Sequence, residues 1–407
     1  MSVNFIENGG VTSPKGFRAA GVCAGLKVSG ADDMALVCSD FPCSFTGSFT
    51  SNLFPAAPVQ ICKERVLKQD TIRAMIFNSG AANACTGLEG LKNAEKMAEL
   101  TAAELGIDQK EVMVASTGHI GNQLPMDIIG KGISMLAKAL DPKGGADAAR
   151  AIMTTDTRPK EIAVRFTAGE KEVTIGGMCK GAGMIAPNMK VPHATMLCCI
   201  TTDCKISNRQ LSSILAEVIE DSFNKVTVDG DMSTNDTVIL MANGASGAEI
   251  APGSEDERNF KEALRIAAKH LARAIAMDGE GATKFVTVEV SGAASSGDAE
   301  LCARTIANSL LCKTAWFGCD PNWGRVLAAA GRSGAKFSPE NVSLDYDEMP
   351  VVRNGVDAGI PESELTQVLK RDEFSVKLNL GEGDHSFTVW TSDVSYEYVK
   401  INADYHT

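Results

Sequence analysis

Short apolar segments rich in β-branched residues alternate with longer segments of helical periodicity along the whole chain. The apolar segments are bounded by Gly, Pro, Asp or Asn, as is typical of strands. The pattern predicts strands at 34–38, 73–77, 112–115, 161–166, 195–201, 237–241, 285–290, 374–380 and 385–390.

Five segments place apolar residues at the 3.6-residue spacing of an amphipathic helix. Four of them are 91–105, 128–140, 259–277 and 299–316. The fifth is LSSILAEVIEDSF, which follows Ser207 and Gln210. A serine with a glutamine three residues later is a capping-box pattern, so this helix is predicted to begin directly after Ser207.

The alternation of strands and helices predicts an α/β protein of the mixed α+β kind, in which large mixed sheets are layered with helices. Strands cluster near the end of the chain, where GEGDH joins 374–380 to 385–390. This glycine-rich connection is hairpin-like and favours antiparallel or mixed sheets over a doubly wound parallel sheet.

Composition restricts the function more than the fold. The 407 residues suffice for two to three domain-sized units, and the net charge is −12. An acidic balance argues against a nucleic-acid partner and against anionic membrane surfaces. No run of about 18 apolar residues is present, and MSVNFIENGG at the start lacks the basic and apolar parts of a targeting sequence. We therefore expect a cytoplasmic protein.

The twelve cysteines form no CxxC framework and no zinc-type pairing with histidines. Cys198 and Cys199 are adjacent in a predicted strand, where successive side chains point to opposite faces. We expect all twelve to be reduced and most to lie in the core. No metal and no other cofactor is predicted.

Familiar cofactor motifs are absent or stand in the wrong context. The chain has no GxxxxGK[ST] phosphate loop, no HExxH and no GxSxG. The segment GAGMIA at 181–186 matches GxGxxA, but a dinucleotide fingerprint needs a helix to begin there. Pro187 and Pro192 prevent a helix of useful length, which argues against a nucleotide site.

Thr195 stands at the junction between a segment of glycines and prolines and an apolar strand, in KGAGMIAPNMKVPHATMLCCITTD at 180–203. Threonine is a good strand former, so a purely structural role is one interpretation. Cleavage between Ala194 and Thr195 is the other, because it would leave Thr195 as an N-terminal residue at the edge of a strand. Its α-amine, with a pKa of about 7.7–8.0, would then serve as the base for its own hydroxyl.

Such a nucleophile needs an oxyanion hole, for which ASTGHIGN at 115–122 is the candidate. The segment ends a predicted strand and turns on two glycines, so that backbone N–H groups and a threonine hydroxyl can converge there. An ordinary turn between a strand and a helix is the alternative. His119 is a lone loop histidine, and we assign it no catalytic role.

Two further turns have compositions that suit a site. MDGEGATK at 277–284 carries two carboxylates beside two glycines, which suits the capture of a substrate amine or guanidinium. A solvated turn is the alternative there. CDPNWGR at 319–325 has the composition of a rigid turn, which is either structural or lines a site.

Together these segments resemble the glutamate N-acetyltransferase (ornithine acetyltransferase) family of arginine biosynthesis, over essentially the whole chain. The residues that carry the resemblance are NSGAANACTG at 78–87, ASTGHIG at 115–121, TTDT at 154–157, KGAGMIAPNM at 180–189, ATML at 194–197, TTD at 201–203, DGDMSTNDT at 229–237, DGEGATKF at 278–285, GCDPNWGR at 318–325 and YVKINADYHT at 398–407. The resemblance implies an N-terminal-nucleophile-like architecture and self-cleavage between Ala194 and Thr195. It further implies an α-chain of residues 1–194, a β-chain of residues 195–407 and an α2β2 heterotetramer.

The reaction is also implied by the resemblance. Thr195 would take the acetyl group of N2-acetylornithine, and the acetyl-threonyl enzyme would pass it to glutamate by a ping-pong route, giving ornithine and N-acetylglutamate. Thr117 and Gly118 match the oxyanion-hole positions of the family. The positions that match its substrate-binding residues are Thr154, Lys180, Thr195, Glu280, Asn402 and Thr407. Glu280 suits an amine of the substrate and Lys180 suits its carboxylate.

One departure from the family lies beside the expected cleavage site. In the family, APNM usually runs directly into ATML, whereas Lys190, Val191, Pro192 and His193 stand between them here. We expect these residues to lengthen the loop that ends the α-chain and to leave processing intact. A disturbed geometry at the scissile bond is the alternative. We assign His193 no catalytic role.

Three alternatives stay open at the level of function. An N-terminal-nucleophile amidase or aminopeptidase would hydrolyse the acyl-threonine with water, and only acceptor binding separates it from a transferase. A non-enzymatic ligand-binding protein of the same fold would stay uncut and form no acyl intermediate. Family members also differ in whether acetyl-CoA donates the acetyl group; the sequence has no CoA signature, and we expect recycling from N-acetylornithine alone.

Overall fold

The computed structural model describes residues 3–186 and 196–404, in which strands and helices alternate as predicted. The strands are β1 Asn4–Phe5, β2 Phe17–Val22, β3 Met34–Phe49, β4 Ile72–Asn78, β5 Val112–Ser116, β6 Lys160–Ala168, β7 Lys171–Lys180, β8 Leu197–Thr202, β9 Thr237–Ala242, β10 Phe285–Ala293, β11 Ser343–Tyr346, β12 Met349–Arg353, β13 Val356–Asp357, β14 Glu373–Asn379 and β15 His385–Ser392. The helices are α1 Ala57–Lys68, α2 Gly87–Leu105, α3 Met126–Ala139, α4 Gly145–Ala151, α5 Asn208–Glu220, α6 Glu255–Met277, α7 Ser296–Ala307, α8 Leu310–Phe317, α9 Trp323–Gly331, α10 Glu362–Leu369 and α11 Tyr396–Asp404.

These strands form two mixed sheets. The nine-stranded sheet has the order β1-β6-β7-β8-β9-β3-β4-β5, with β2 paired beside β3. The six-stranded sheet has the order β13-β12-β11-β14-β10-β15. The pairs β4–β5, β8–β9 and β10–β14 are parallel, and the remaining pairs are antiparallel. The prediction of large mixed sheets layered with helices is therefore confirmed.

The nine-stranded sheet is buried on both faces, which explains the continuous apolar run of β8. Leu197 and Cys199 contribute to the core cluster that α1–α4 cover, whereas Cys198 and Ile200 contribute to the cluster beneath α5 and α6. The expectation that the adjacent cysteines face opposite sides is thus confirmed. Burial on both faces removes the polar alternation of a half-exposed strand.

The helices that cover this sheet follow the predicted periodicity and caps. Helix α6 buries one stripe at three- and four-residue spacing, from Phe260 to Ala276. Helix α5 begins after Ser207, whose side chain accepts a hydrogen bond from the backbone N–H of Gln210, while the Gln210 side chain returns to the N-cap. The predicted capping box is therefore confirmed.

Two local predictions were wrong. Strands β14 and β15 do not form a hairpin, because β10 lies between them and pairs with both. Their connection crosses the end of β10, where the N–H groups of Glu382 and Gly383 donate to the carbonyl of Gly292. The single helix at 299–316 is two helices, α7 and α8, because Ser309 caps the second by accepting from the N–H of Cys312.

The segments that the sequence assigned to an α-chain and a β-chain share the nine-stranded sheet. Strand β7 precedes residue 194 and β8 follows it, yet the whole of β8 pairs with the second half of β7. Lys180 at the end of β7 lies beside Leu197 at the start of β8, and Leu197 lies beside Thr237 at the start of β9. The end of β5 and the loop after β4 meet the same region, since Asn235, just before β9, donates to the carbonyls of Ser116 and Ala82.

All twelve cysteines fall within the described ranges and are free, nine of them buried. The prediction that most of the cysteines lie in the core is confirmed. In the described part of the chain, no helix combines the length and the apolar character that crossing a membrane requires.

Candidate active site

A pocket of about 280 Å³ opens where the strand ends meet. Six of the residues that the sequence singled out line it, although they come from five separate segments of the chain. They are Thr117, Gly118, Thr154, Lys180, Glu280 and Asn402. Ala194, Thr195 and Thr407, the other three, lie outside the described residues, as does the insertion 190–193.

The start of β8 reaches the same pocket. Met196 and Leu197 line it, and the carbonyl of Met196 accepts a hydrogen bond from the N–H of Thr237 over 2.5 Å. Met196 has φ +146°, a backbone conformation that non-glycine residues rarely adopt. The first described residue after position 195 is therefore both buried at the pocket and conformationally strained.

Two hydrogen-bond donors of the candidate oxyanion hole remain available in the loop after β5. The N–H of Thr117 is already used, since it donates to the carbonyl of Asn78 over 2.9 Å. Within the described residues, the Thr117 hydroxyl and the Gly118 N–H make no hydrogen bond, and both residues line the pocket. Gly118 has φ +123°, and a Cβ there would meet the Gly80 carbonyl carbon at 2.6 Å, so this position requires glycine.

Asn235 supports this loop by hydrogen bonds, a role that sequence reasoning missed. Its Nδ2 donates to the carbonyl of Ala82 over 2.5 Å and to that of Ser116 over 2.7 Å, and its side chain is buried. The amide thereby ties the loops after β4 and β5 to the segment before β9. Its position within DGDMSTNDT was the available signal.

Asp156 organises the end of the pocket that contains Lys180. Its carboxylate accepts from the N–H of Thr154 over 3.0 Å and from that of Gly181 over 2.7 Å. The Lys180 ammonium lies 3.8 Å from Oδ2 of the same carboxylate. Sequence reasoning did not single out Asp156, although it is the acidic residue of TTDT. One buried carboxylate thus positions both of the predicted substrate-binding residues at this end.

Asp156 also begins a buried series of ion pairs. Lys160 Nζ lies 2.6 Å from Asp156 Oδ1 and 2.6 Å from Asp278 Oδ2, with all three side chains buried. Burial by itself would raise the pKa of Asp156, but Lys180 and Lys160 outweigh it and hold the pKa well below its usual range. Burial opposes the charge on Lys160 too, yet Asp156 and Asp278 raise its pKa above the ordinary value. Asp156 and Lys160 are therefore both charged near neutral pH.

Glu280 is a buried acidic residue of the pocket wall. Glu280 is 7% exposed, and its backbone N–H donates to the carbonyl of Ala182 over 2.9 Å. A Cβ at Gly183 would lie 2.3 Å from the Glu280 carboxyl carbon, so glycine there makes room for the carboxylate. Asn402 Nδ2 donates to Glu280 Oε2, but no lysine or arginine of the described residues forms an ion pair with Glu280. A buried carboxylate without a cationic partner suits a cationic ligand.

Asp229 and Tyr398 extend this acidic wall, and both were missed from the sequence. Asp229 accepts from the N–H groups of Met184 and Ile185, which holds the glycine-rich segment after β7 against the pocket. Burial raises the pKa of Asp229 above its ordinary value. Tyr398 on α11 lines the pocket, and burial together with Asp229 and Glu280 raises the pKa of its phenol.

The charges of the lining residues define what the pocket accommodates. Its described walls carry carboxylates at Asp229, Asp231, Asp236 and Glu280, whereas Lys180 is their one lysine or arginine. A small molecule that carries both an ammonium group and a carboxylate matches this combination of charges. The turn 319–325 contributes nothing to the walls; its Arg325 donates to the carbonyl of Leu311 and holds α8 against α9.

The described residues of this region form neither a cluster of metal ligands nor the strand–turn–helix of a dinucleotide fingerprint. Across residues 3–186 and 196–404, no group of three or more His, Cys, Asp or Glu side chains is arranged to hold a metal ion. The segment GAGMIA forms a bend followed by an isolated bridge between Ile185 and Met232 rather than the start of a helix. This geometry agrees with the sequence argument against a nucleotide fingerprint.

The chain is similar to proteins of arginine biosynthesis. The model of the ArgJ family matches residues 18–407. The arginine biosynthesis bifunctional protein ArgJ of Symbiobacterium thermophilum is 48% identical over 402 residues, which are 98% of this chain and 99% of that protein. A glutamate N-acetyltransferase of Methanocaldococcus jannaschii is 44% identical over 411 residues, 99% of this chain and 100% of that protein. A solved ornithine acetyltransferase of Mycobacterium tuberculosis, complexed with ornithine, is 43% identical and covers 46% of this chain and 100% of its own, with a TM-score of 0.43.

Proposed function

This chain belongs to the ArgJ family, and we propose that it transfers the acetyl group of N2-acetylornithine to glutamate by way of an acetyl-Thr195 intermediate. One observation carries the proposal. Met196 and Leu197, which follow Thr195 in the chain, line the same pocket as Thr117, Gly118 and Glu280. A nucleophile at position 195 is thus one peptide bond from a pocket that already contains oxyanion donors and substrate-binding charges.

The transfer proceeds in two half-reactions. Thr195 Oγ attacks the acetyl carbonyl carbon while the α-amine of Thr195 accepts the hydroxyl proton, and the Thr117 hydroxyl and Gly118 N–H stabilise the oxyanion. The C–N bond then breaks, and ornithine leaves with the proton on its α-amine. In the second half-reaction the glutamate α-amine attacks the threonyl ester, the C–O bond breaks, and the proton returns to Thr195 Oγ.

The requirement for a free α-amine at Thr195 implies prior cleavage after Ala194. We propose that the chain cuts itself there, giving an α-chain of residues 1–194 and a β-chain of residues 195–407. The strained φ of Met196 supports this proposal, because strain next to a scissile bond is relieved when the bond breaks. The two products stay joined through the β7–β8 pairing. We further propose the α2β2 assembly and the cytoplasmic location implied by the family resemblance.

The charges of the pocket support a transferase over an amidase. The Lys180 ammonium binds the substrate carboxylate, and Glu280 with Asn402 binds the side-chain ammonium of N-acetylornithine. Both half-reactions use a substrate with an α-carboxylate, so one cation serves donor and acceptor. Recycling from N-acetylornithine alone stays our prediction for the donor, with acetyl-CoA as the alternative to assay.

Denaturing mass spectrometry of the purified protein, followed by an acetyl-transfer assay, tests the proposal. We expect two polypeptides, the larger beginning at Thr195, and acetylation of that polypeptide by N-acetylornithine. Addition of glutamate should remove the acetyl group and yield N-acetylglutamate. A single intact chain near 42.9 kDa that forms no acetyl-enzyme would contradict the proposal. Loss of the acetyl group to water alone would instead support the amidase.

A further inference from the structure

Four buried side chains form a line of alternating charge beside the pocket: Lys180, Asp156, Lys160 and Asp278. The nitrogen–oxygen distances along it are 3.8, 2.6 and 2.6 Å. Lys180 lines the pocket, whereas Lys160 and the two aspartates lie behind it. The line therefore ends in a cation that faces the pocket and continues into groups that do not.

The two lysines share Asp156 unequally. Lys160 holds Oδ1 at hydrogen-bond distance, together with the Gly181 N–H. Lys180 faces Oδ2 from 3.8 Å, which is beyond the range of a hydrogen bond, and that oxygen also accepts from the Thr154 N–H. The N–H groups of the Lys180 ammonium are consequently available to another acceptor.

We infer that Lys160 is a positioning residue that keeps Lys180 available for the substrate carboxylate. The inference rests on the assignment of Lys180 to that carboxylate in the proposed function. By holding Asp156 at close range, Lys160 neutralises the carboxylate that forms an ion pair with the Lys180 ammonium and so competes with substrate for it. Asp278, on the far side, balances the charge of Lys160.

Removal of Lys160 changes this competition in a definite direction. Without Lys160, Lys180 would be the cation left in ion-pair contact with Asp156. Because the environment is buried, the Lys180 ammonium and the Asp156 carboxylate would approach to hydrogen-bond distance. A substrate carboxylate would then have to displace Asp156. Binding of ligands that carry the carboxylate is weakened, while binding through Glu280 is unchanged.

The experiment is calorimetric titration of ornithine and of its primary amide, in which a neutral carboxamide replaces the carboxylate. The test protein is Lys160→Met/Asp278→Asn, which removes one charge of each sign. The wild-type protein should bind ornithine more tightly than the amide. In the double variant this preference should fall about tenfold, the loss expected when one charge-assisted hydrogen bond is weakened. If the methionine variant does not fold, Lys160→Gln/Asp278→Asn provides the same test.

The matched control is Arg65→Met/Glu95→Gln, which removes a cation–carboxylate pair of 2.7 Å remote from the pocket. It should keep the wild-type preference for ornithine. An unchanged preference in the Lys160 variant would overturn the inference, and so would an equal loss of affinity for both ligands, which indicates a merely structural role.

The same titrations separate this inference from the proposed function. A wild-type protein that prefers ornithine over its amide but transfers no acetyl group would refute the proposed function and leave the role of Lys160 intact. A wild-type protein that transfers acetyl groups yet shows no preference for the carboxylate would overturn the inference alone. Absence of ornithine binding would overturn both.

Discussion

Asn402 donates a hydrogen bond from Nδ2 to Oε2 of Glu280 over 2.8 Å. This contact joins helix α11, near the end of the chain, to the turn between α6 and β10. The same turn is held by Ser395, whose hydroxyl donates to the carbonyl of Gly281 over 2.5 Å. A Cβ at Gly281 would lie 2.5 Å from the N–H nitrogen of Tyr398, so glycine permits α11 to approach this closely. The C-terminal helix therefore forms one wall of the pocket.

Glu280→Gln should raise KM for N-acetylornithine at least about tenfold, because a neutral amide replaces the charge that binds the substrate ammonium. Self-cleavage should continue at the wild-type rate, since Glu280 is proposed to contact the substrate rather than the scissile bond. Steady-state kinetics and denaturing mass spectrometry of the same preparation measure the two effects. Glu249→Gln, at an exposed ion pair with Lys205, is the control and should change neither. Equal losses of cleavage and activity would indicate a folding defect instead.

Thr195→Ala should abolish both self-cleavage and acetyl transfer, because alanine has no hydroxyl to act as the nucleophile. Thr195→Ser should retain part of both, since a serine hydroxyl performs the same chemistry. The chain masses and the formation of acetyl-enzyme provide the measurement. An alanine variant that is cut and active would refute the nucleophile, and the mechanism with it.

Lys313 predicts a dependence of stability on pH that is separate from catalysis. It is fully buried on α8, donates to Thr391 Oγ1 and the Ser392 carbonyl, and burial lowers its pKa to about 7. Between that value and the ordinary lysine pKa of about 10.4, the unfolded chain binds a proton that the folded protein lacks. The contribution of Lys313 to stability therefore rises with pH across this window, by up to about 1.4 kcal/mol per pH unit.

Thermal unfolding of the wild-type protein and of Lys313→Met, from about pH 6 to about pH 10, tests this behaviour. The wild-type midpoint should rise relative to that of the variant as the pH increases, because methionine does not titrate. Parallel curves for the two proteins would show that Lys313 keeps its ordinary pKa in the folded state.

Ser207→Ala should destabilise the protein by about 1 kcal/mol, because the first turn of α5 loses the side chain that accepts from the Gln210 N–H. Ser213→Ala, at an exposed position inside the same helix, is the matched control. It should be neutral or slightly stabilising, since alanine has the higher helix propensity. Chemical denaturation of the three proteins distinguishes these outcomes, and equal effects at both positions would argue against a capping role.

The sequence by itself was sufficient for the elements whose signals are local. Periodicity located nine of the fifteen described strands and the long helices α2, α3 and α6, although it missed β7 and α1. The Ser207 cap marked the start of α5, because propensity and capping depend on neighbouring residues. It failed where a distant segment decides the outcome. Glycines between 374–380 and 385–390 suggested a hairpin, but the strand that separates them, β10, is about eighty residues away in the chain. The helix predicted at 299–316 failed for a local reason, because Ser309 is a second N-cap inside an apolar pattern.

The candidate site shows the same division. The chemistry of Thr195, Lys180 and Glu280 is readable from residue type and from the resemblance to a family. Their convergence is a tertiary property, because the ends of β5 and β7, the loop between α4 and β6, the turn after α6 and helix α11 all meet at one pocket. Nothing in the sequence indicated the roles of Asp156 and Lys160. A buried ion pair depends on which side chains are close together in the folded protein, and it leaves no motif of fixed residue spacing in the sequence. Only the tertiary structure decided which charges line the pocket and which charges pair with them from behind.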